Sequence, residues 1–151
     1  MIIKSSDHLN SISKKISNKI LNSDLILLYG EVGTGKTTFA RSLINYLQIK
    51  EDIKITDVLS PTYNLVYEYE LKSMKIMHYD LYRLKNKTEI QQLGIFDTDQ
   101  LTVKIIEWPE LINKNIIDKI ELKFEYAINE HERNLSLKGY GKWAELNINE
   151  I

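Results

Sequence analysis

The chain has 151 residues and a mass of 17.7 kDa, with 43% apolar and 27% charged residues, a formal net charge of −1 and no cysteine. That is one ordinary globular domain with enough chain for a full core; disulfides, thiolate metal sites and cysteine nucleophiles are excluded. The near-neutral charge gives no global pull toward nucleic acid or membrane, and the absence of a signal-peptide core or a membrane-length apolar run sets the expectation of a cytoplasmic protein.

In chain order, Ser5 or Ser6 caps a first helix over about residues 6–22, in which Leu9, Ile12, Ile16 and Ile20 share one face. Leu25 to Tyr29 is a short apolar run of the buried-strand type. Residues 30–37, Gly-Glu-Val-Gly-Thr-Gly-Lys-Thr, match the pattern G-x-x-x-x-G-K-[ST] in full. A second helix follows from Thr38, with Phe39, Leu43, Ile44 and Leu47 on one side. Residues 63–70 and 75–82 read as an antiparallel hairpin turning at Lys72-Ser73, and residues 88–93 as a short helix ending at Gly94. Residues 102–107 are a further strand. Residues 119–127 and 134–139 form a late strand pair around the charged turn Asn129 to Glu132, and a short helix is expected from Lys142. The fold class is therefore α/β: a P-loop NTPase-type three-layer domain, 1–151, whose mixed sheet contains antiparallel hairpins.

The strand–loop–helix context gives the glycine pattern its chemistry. Gly30, Gly33 and Gly35 admit positive φ and let the backbone approach a phosphate. Successive amides and the start of the helix then favour an anion. Lys36 is the cation for the β- and γ-phosphates, and Thr37 is the hydroxyl placed for Mg²⁺. Turnover also needs an acid at a strand end, for which two candidates exist: Asp80 and Glu107. Both prolines are placed suggestively. Pro61 precedes Thr62, which it would hold stiffly on a loop, as switch threonines are held. Pro109 follows Trp108, an indole set as the wall of a site or a partner surface.

Taken in order, the P-loop, Ser60-Pro61-Thr62-Tyr63, His78-Tyr79-Asp80-Leu81-Tyr82-Arg83-Leu84, Glu89 with Gly94-Ile95, and Ile106-Glu107-Trp108-Pro109-Glu110 resemble the bacterial TsaE (YjeE) family, over about residues 5–140. These are small ATPases of tRNA threonylcarbamoyladenosine biosynthesis. The resemblance implies ATP bound with Mg²⁺ by Glu31, Val32, Gly33, Thr34, Gly35, Lys36, Thr37 and Thr38. It implies metal contacts at Thr37 and Glu107, a further site acid at Asp80, and a required motif residue at Trp108. More loosely, it places Ser11 and Arg133 near the base; Glu31 stands where the family often has Asp. It implies partners of the TsaD and TsaB type, with hydrolysis resetting their transfer complex, tRNA met only indirectly and no membrane.

Rival readings are a small-molecule kinase, for which the three arginines Arg41, Arg83 and Arg133 are few, and an ATP-dependent adaptor without turnover. A GTPase is disfavoured, because Asn86-Lys87-Thr88-Glu89 ends in the wrong acid for guanine and falls too early in the chain.

Overall fold

A computed structural model describes residues 1–97, 99–112 and 116–147. Its strands are β1 (Ile2–Ile3), β2 (Leu25–Tyr29), β3 (Val66–Glu70), β4 (Lys75–Asp80), β5 (Thr102–Glu107), β6 (Lys119–Tyr126) and β7 (Arg133–Tyr140). Its helices are α1 (Ser6–Lys19), α2 (Lys36–Lys50) and α3 (Lys87–Gln92). One seven-stranded sheet runs in the order β1-β7-β6-β2-β5-β4-β3. The four central strands are parallel, while β1 and β7 at one edge and β3 at the other run antiparallel to their neighbours. This is the expected mixed sheet, with the hairpins β3–β4 and β6–β7 at its flanks.

The two-residue period of the central strands sorts their side chains into two cores. Ile26 and Leu28 of β2, Ile76 of β4, and Val103 and Ile105 of β5 join the apolar stripes of α1 and α2. Leu25 and Leu27 of β2, Tyr79 of β4 and Ile106 of β5 join Ile90 of α3 on the opposite face. Helices therefore cover both faces, as a buried parallel sheet requires. In α2, Phe39, Leu43, Ile44 and Leu47 are essentially fully buried. Each contributes roughly 1.5–3 kcal/mol by leaving water, and together they fix the angle at which α2 leaves the loop.

Several boundaries differ from the sequence reading, each for a local reason. Ser5, not Ser6, caps α1, accepting from the His8 amide at 3.1 Å. Helix α2 starts at Lys36, two residues earlier than expected, because left-handed Gly35 (φ 108°) turns the loop straight into it. The strand expected from residue 63 starts at Val66, since Pro61–Asn64 is a turn closed by Leu65 N donating to Pro61 O at 2.6 Å. The helix expected from Lys142 is a single 3-10 turn, Gly141–Trp143, and residues 148–151 lie outside the described residues. The short β1 carried no periodic signal; it is held by pairing Ile2 and Ile3 with Asn134 and Arg133.

Candidate nucleotide site

Three adjacent parallel strands bring the site together. The glycine loop leaves the end of β2, and Leu28 of β2 is paired with Glu107 of β5, which in turn is paired with Asp80 of β4. Glu107 is in phase with Val103 and Ile105, and Asp80 and His78 with Ile76, so all three point to the α2 side of the sheet. This is the crevice outside the carboxyl ends of the strands, where open α/β sheets take ligands.

The loop itself is shaped by left-handed glycines. At Gly30 (φ 136°) a Cβ would fall 2.3 Å from Phe124 O, so no other residue fits. At Gly35 the first turn of α2 has no side-chain cap, which leaves its amides and the positive end of its dipole to an anion. Lys36 folds back over the loop. Its Nζ donates to Gly30 O at 2.6 Å and Glu31 O at 2.8 Å, and it lies 4.0 Å from the centre of the Trp108 ring. Burial pushes the Lys36 ammonium below the usual lysine range, against the pull of Glu107, Asp80 and Glu110. Trp108 reaches this position through a left-handed backbone (φ 57°), a conformation costing a bulky residue about 1–2 kcal/mol, and it packs on Tyr82 with ring centres 4.8 Å apart.

Thr37 and Glu107 meet directly, with Thr37 Oγ1 donating to Glu107 Oε2 at 2.8 Å. The other carboxylate oxygen of Glu107, Oε1, lies 2.9 Å from His78 Nε2, in a site closed to solvent. On the same face, Asp80 bonds a different set of groups. Its Oδ2 accepts from Thr62 Oγ1 at 2.6 Å and its Oδ1 from the Tyr82 amide at 2.9 Å, while Thr62 also meets Ser60 Oγ at 2.8 Å. Asp80 thus latches the Ser60–Thr62 loop to the end of β4, beside the metal-type oxygens of Thr37 and Glu107.

Of the remaining residues read from the sequence, Glu31, Val32, Gly33, Thr34 and Thr38 lie on the loop or the first turn of α2. Tyr126 OH donates to Val32 O at 2.6 Å, and the Arg133 guanidinium stacks on Tyr126 at 4.7 Å, so Arg133 reaches the loop through that ring. Ser11 is exposed on α1, and among the described residues no polar contact joins it to the loop. The segment Asn86–Glu89 is a helix start. Asn86 Oδ1 accepts the Glu89 amide at 3.1 Å and Glu89 reaches back to the Lys85 amide at 3.0 Å, a capping arrangement that accounts for the segment without a guanine. Sequence reasoning missed His78 and Tyr126. A histidine inside an apolar strand, in phase with Asp80, was the available signal for the first; nothing local marked the second.

The donor set fits magnesium and a triphosphate. Mg²⁺ binds hard oxygens, usually one or two carboxylates with substrate phosphates and water, and Thr37 Oγ1 and Glu107 Oε2 supply two such oxygens side by side. Among the described residues no group of three or more His, Cys, Asp or Glu forms a full protein cage. The loop offers bare amides, one ammonium and an uncapped helix end.

A parallel-cored sheet carrying this loop into an uncapped helix defines a P-loop-type α/β protein. Comparison with known proteins narrows that class. The family model for Threonylcarbamoyl adenosine biosynthesis protein TsaE matches residues 3–135, and the chain belongs to the TsaE family, whose role lies in tRNA threonylcarbamoyladenosine biosynthesis. The protein of that name from Rickettsia felis is 32% identical over 138 residues, covering 91% of this chain and 78% of its own. The one from Aquifex aeolicus is 37% identical over 110 residues, covering 73% and 76%. A crystal structure of Bacillus subtilis YdiB superposes with a TM-score of 0.72 over 97% of this chain and 88% of that one, at 20% identity, and bears on the fold alone. Among the described residues no helix is long and apolar enough to cross a membrane.

Proposed function

We propose that this chain is a magnesium-dependent ATPase working in the cytoplasm with TsaB- and TsaD-type proteins, its hydrolysis resetting their threonylcarbamoyl transfer complex. The observation that carries this reading is the convergence of Lys36, Thr37 and Glu107 at one strand edge, with the Thr37 hydroxyl on the Glu107 carboxylate at 2.8 Å. The chain's own residues divide the work. Amides of the Gly33–Thr38 segment hold the β-phosphate at the helix end. Lys36 exchanges its loop carbonyls for phosphate oxygens and offsets their charge. Thr37 and Glu107 hold Mg²⁺, directly or through water. A cation held there would help neutralise the charge that develops on the phosphates.

Local charge supports the metal requirement. One ammonium sits in the field of three carboxylates, Glu107, Asp80 and Glu110, so side-chain charge alone would not draw in a triphosphate. Thr62, tied to Asp80, stands on a loop able to respond to the γ-phosphate. Among the described residues, no contact joins an arginine to Lys36, Thr37, Asp80 or Glu107, which supports a slow ATPase accelerated by its partners. The test is phosphate release by the purified chain, alone and with TsaB and TsaD proteins, beside Lys36→Ala. The expected result is slow release alone, faster release in the assembly, and none from the folded variant. Equal release by the variant would overturn the assignment. Assembly that requires ATP with no phosphate release at all would favour the adaptor reading.

A further inference from the structure

We infer that His78 is a positioning residue for Glu107, fixing which carboxylate oxygen faces the magnesium ion; this rests on the metal role proposed for Glu107. His78 lies on β4, an outer strand of the four parallel ones, fully closed to solvent and next to Ile105 of β5. Its Nε2 is 2.9 Å from Glu107 Oε1, and its Nδ1 is buried with no hydrogen-bond partner. An apolar side chain of similar volume would pack there without an orphaned ring nitrogen. What the histidine adds is one donor aimed at one oxygen.

The tautomer follows from the partners. A carboxylate only accepts, so the hydrogen of the ring must sit on Nε2. A proton on Nδ1 would be a buried donor facing nothing. The ring therefore aims one N–H at Oε1 and leaves Oε2 to the Thr37 hydroxyl. With Oε1 held by His78 and Oε2 by Thr37, the carboxylate is locked in rotation. Oε2, beside the Thr37 hydroxyl, is then the oxygen that would face the metal. Partners of this kind outside the ligand shell typically change metal affinity or activity by about 10–100-fold when removed.

The experiment is calorimetric titration of ADP into the full chain, without magnesium and over a range of magnesium concentrations, for wild type, His78→Leu and His78→Gln. In His78→Leu, magnesium-free ADP affinity is expected to stay within about twofold, while the magnesium concentration giving half-maximal tightening rises about 10–100-fold. His78→Gln, whose amide reaches the Nε2 position, is expected to recover most of that loss. Equal magnesium dependence in His78→Leu and wild type would overturn the inference, as would an equal loss of ADP affinity with and without the metal. A wild type that shows no magnesium effect would remove the parent reading, an outcome distinct from a failure confined to His78. Should His78→Leu not fold, nitrogen NMR of the wild-type ring decides: hydrogen on Nε2 supports the inference, hydrogen on Nδ1 overturns it.

Discussion

The two ends of β2 each hold a buried acid, and they treat it differently. Before the strand, Asp24 is 1% exposed and surrounded by donors: the Leu21 amide at 2.6 Å, the Trp143 indole at 3.2 Å and the Lys142 ammonium at 2.6 Å. Beyond the strand, Glu107 is equally buried, but its donors are a hydroxyl and an imidazole, with no lysine or arginine among them. The lysines differ in parallel. Lys142 is paired with its acid, whereas Lys36 is buried on two carbonyls and an indole face. A buried carboxylate supplied with its own cation ties the C-terminal segment to the sheet. One held by a hydroxyl and an imidazole is the acid for which the metal role is proposed. A hollow of about 620 Å³ lined by Lys19, Leu21, Lys142 and Trp143 also lies at the Asp24 end.

The same conservative change, acid to amide, should therefore split the two ends. Glu107→Gln is expected to lower magnesium-dependent ATP turnover by at least about a hundredfold, the upper end of what outer partners of a metal cost. Its unfolding midpoint should hold or rise, because a buried charge is removed while both hydrogen bonds can be kept. Asp24→Asn is expected to do the reverse: turnover unchanged, but stability lowered by about 1–3 kcal/mol, because an amide nitrogen must face one of the three donors. That is several degrees in Tm for a chain of this size. Steady-state phosphate release and thermal unfolding on both variants read the two columns. Loss of turnover in Asp24→Asn, or of stability alone in Glu107→Gln, would break the contrast.

The sequence carried the site end far better than the opposite end. Gly30 to Thr37 announce themselves because a backbone that must approach a phosphate admits few residue types, and strand phase put Asp80 and Glu107 at strand ends. Sheet order was not readable: nothing in residues 75–80 or 102–107 says that β5 lies between β2 and β4, which is what makes Asp80 and Glu107 neighbours. The Asp24 staple was invisible too. It joins residues 119 apart in the chain, and neither Asp24 nor Trp143 sits in a pattern that predicts the other. Asp80 was legible as an acid but not as the latch on Thr62, because the turn at Pro61–Asn64 decides where that hydroxyl points. Trp108 was legible only as the wall of a site or a partner surface, and its left-handed backbone, which sets the ring over Lys36, had no signature except the proline after it.

The smallest effect tests the lysines. Lys142 has its carboxylate at contact distance, so its charge is matched in the fold. Lys36 has its proton affinity lowered, burial outweighing the attraction of Glu107, Asp80 and Glu110. With the folded value below 10.5 and the unfolded one at it, folded and unfolded chains both hold the proton at neutral pH, where the cost of burying the charge is carried in full. As pH rises through the lowered folded value toward 10.5, the unfolded chain holds more of the proton, so stability from this group increases. Lys36→Met lacks that group. Measured by denaturant unfolding from pH 7 upward, wild type should gain on Lys36→Met across that window, whatever the offset at neutral pH from the lost carbonyl contacts. The opposite trend would mean that the three carboxylates hold the ammonium as tightly as Asp24 holds Lys142. The loop end of β2 would then be a second staple, and no uncompensated charge would be waiting there for phosphate.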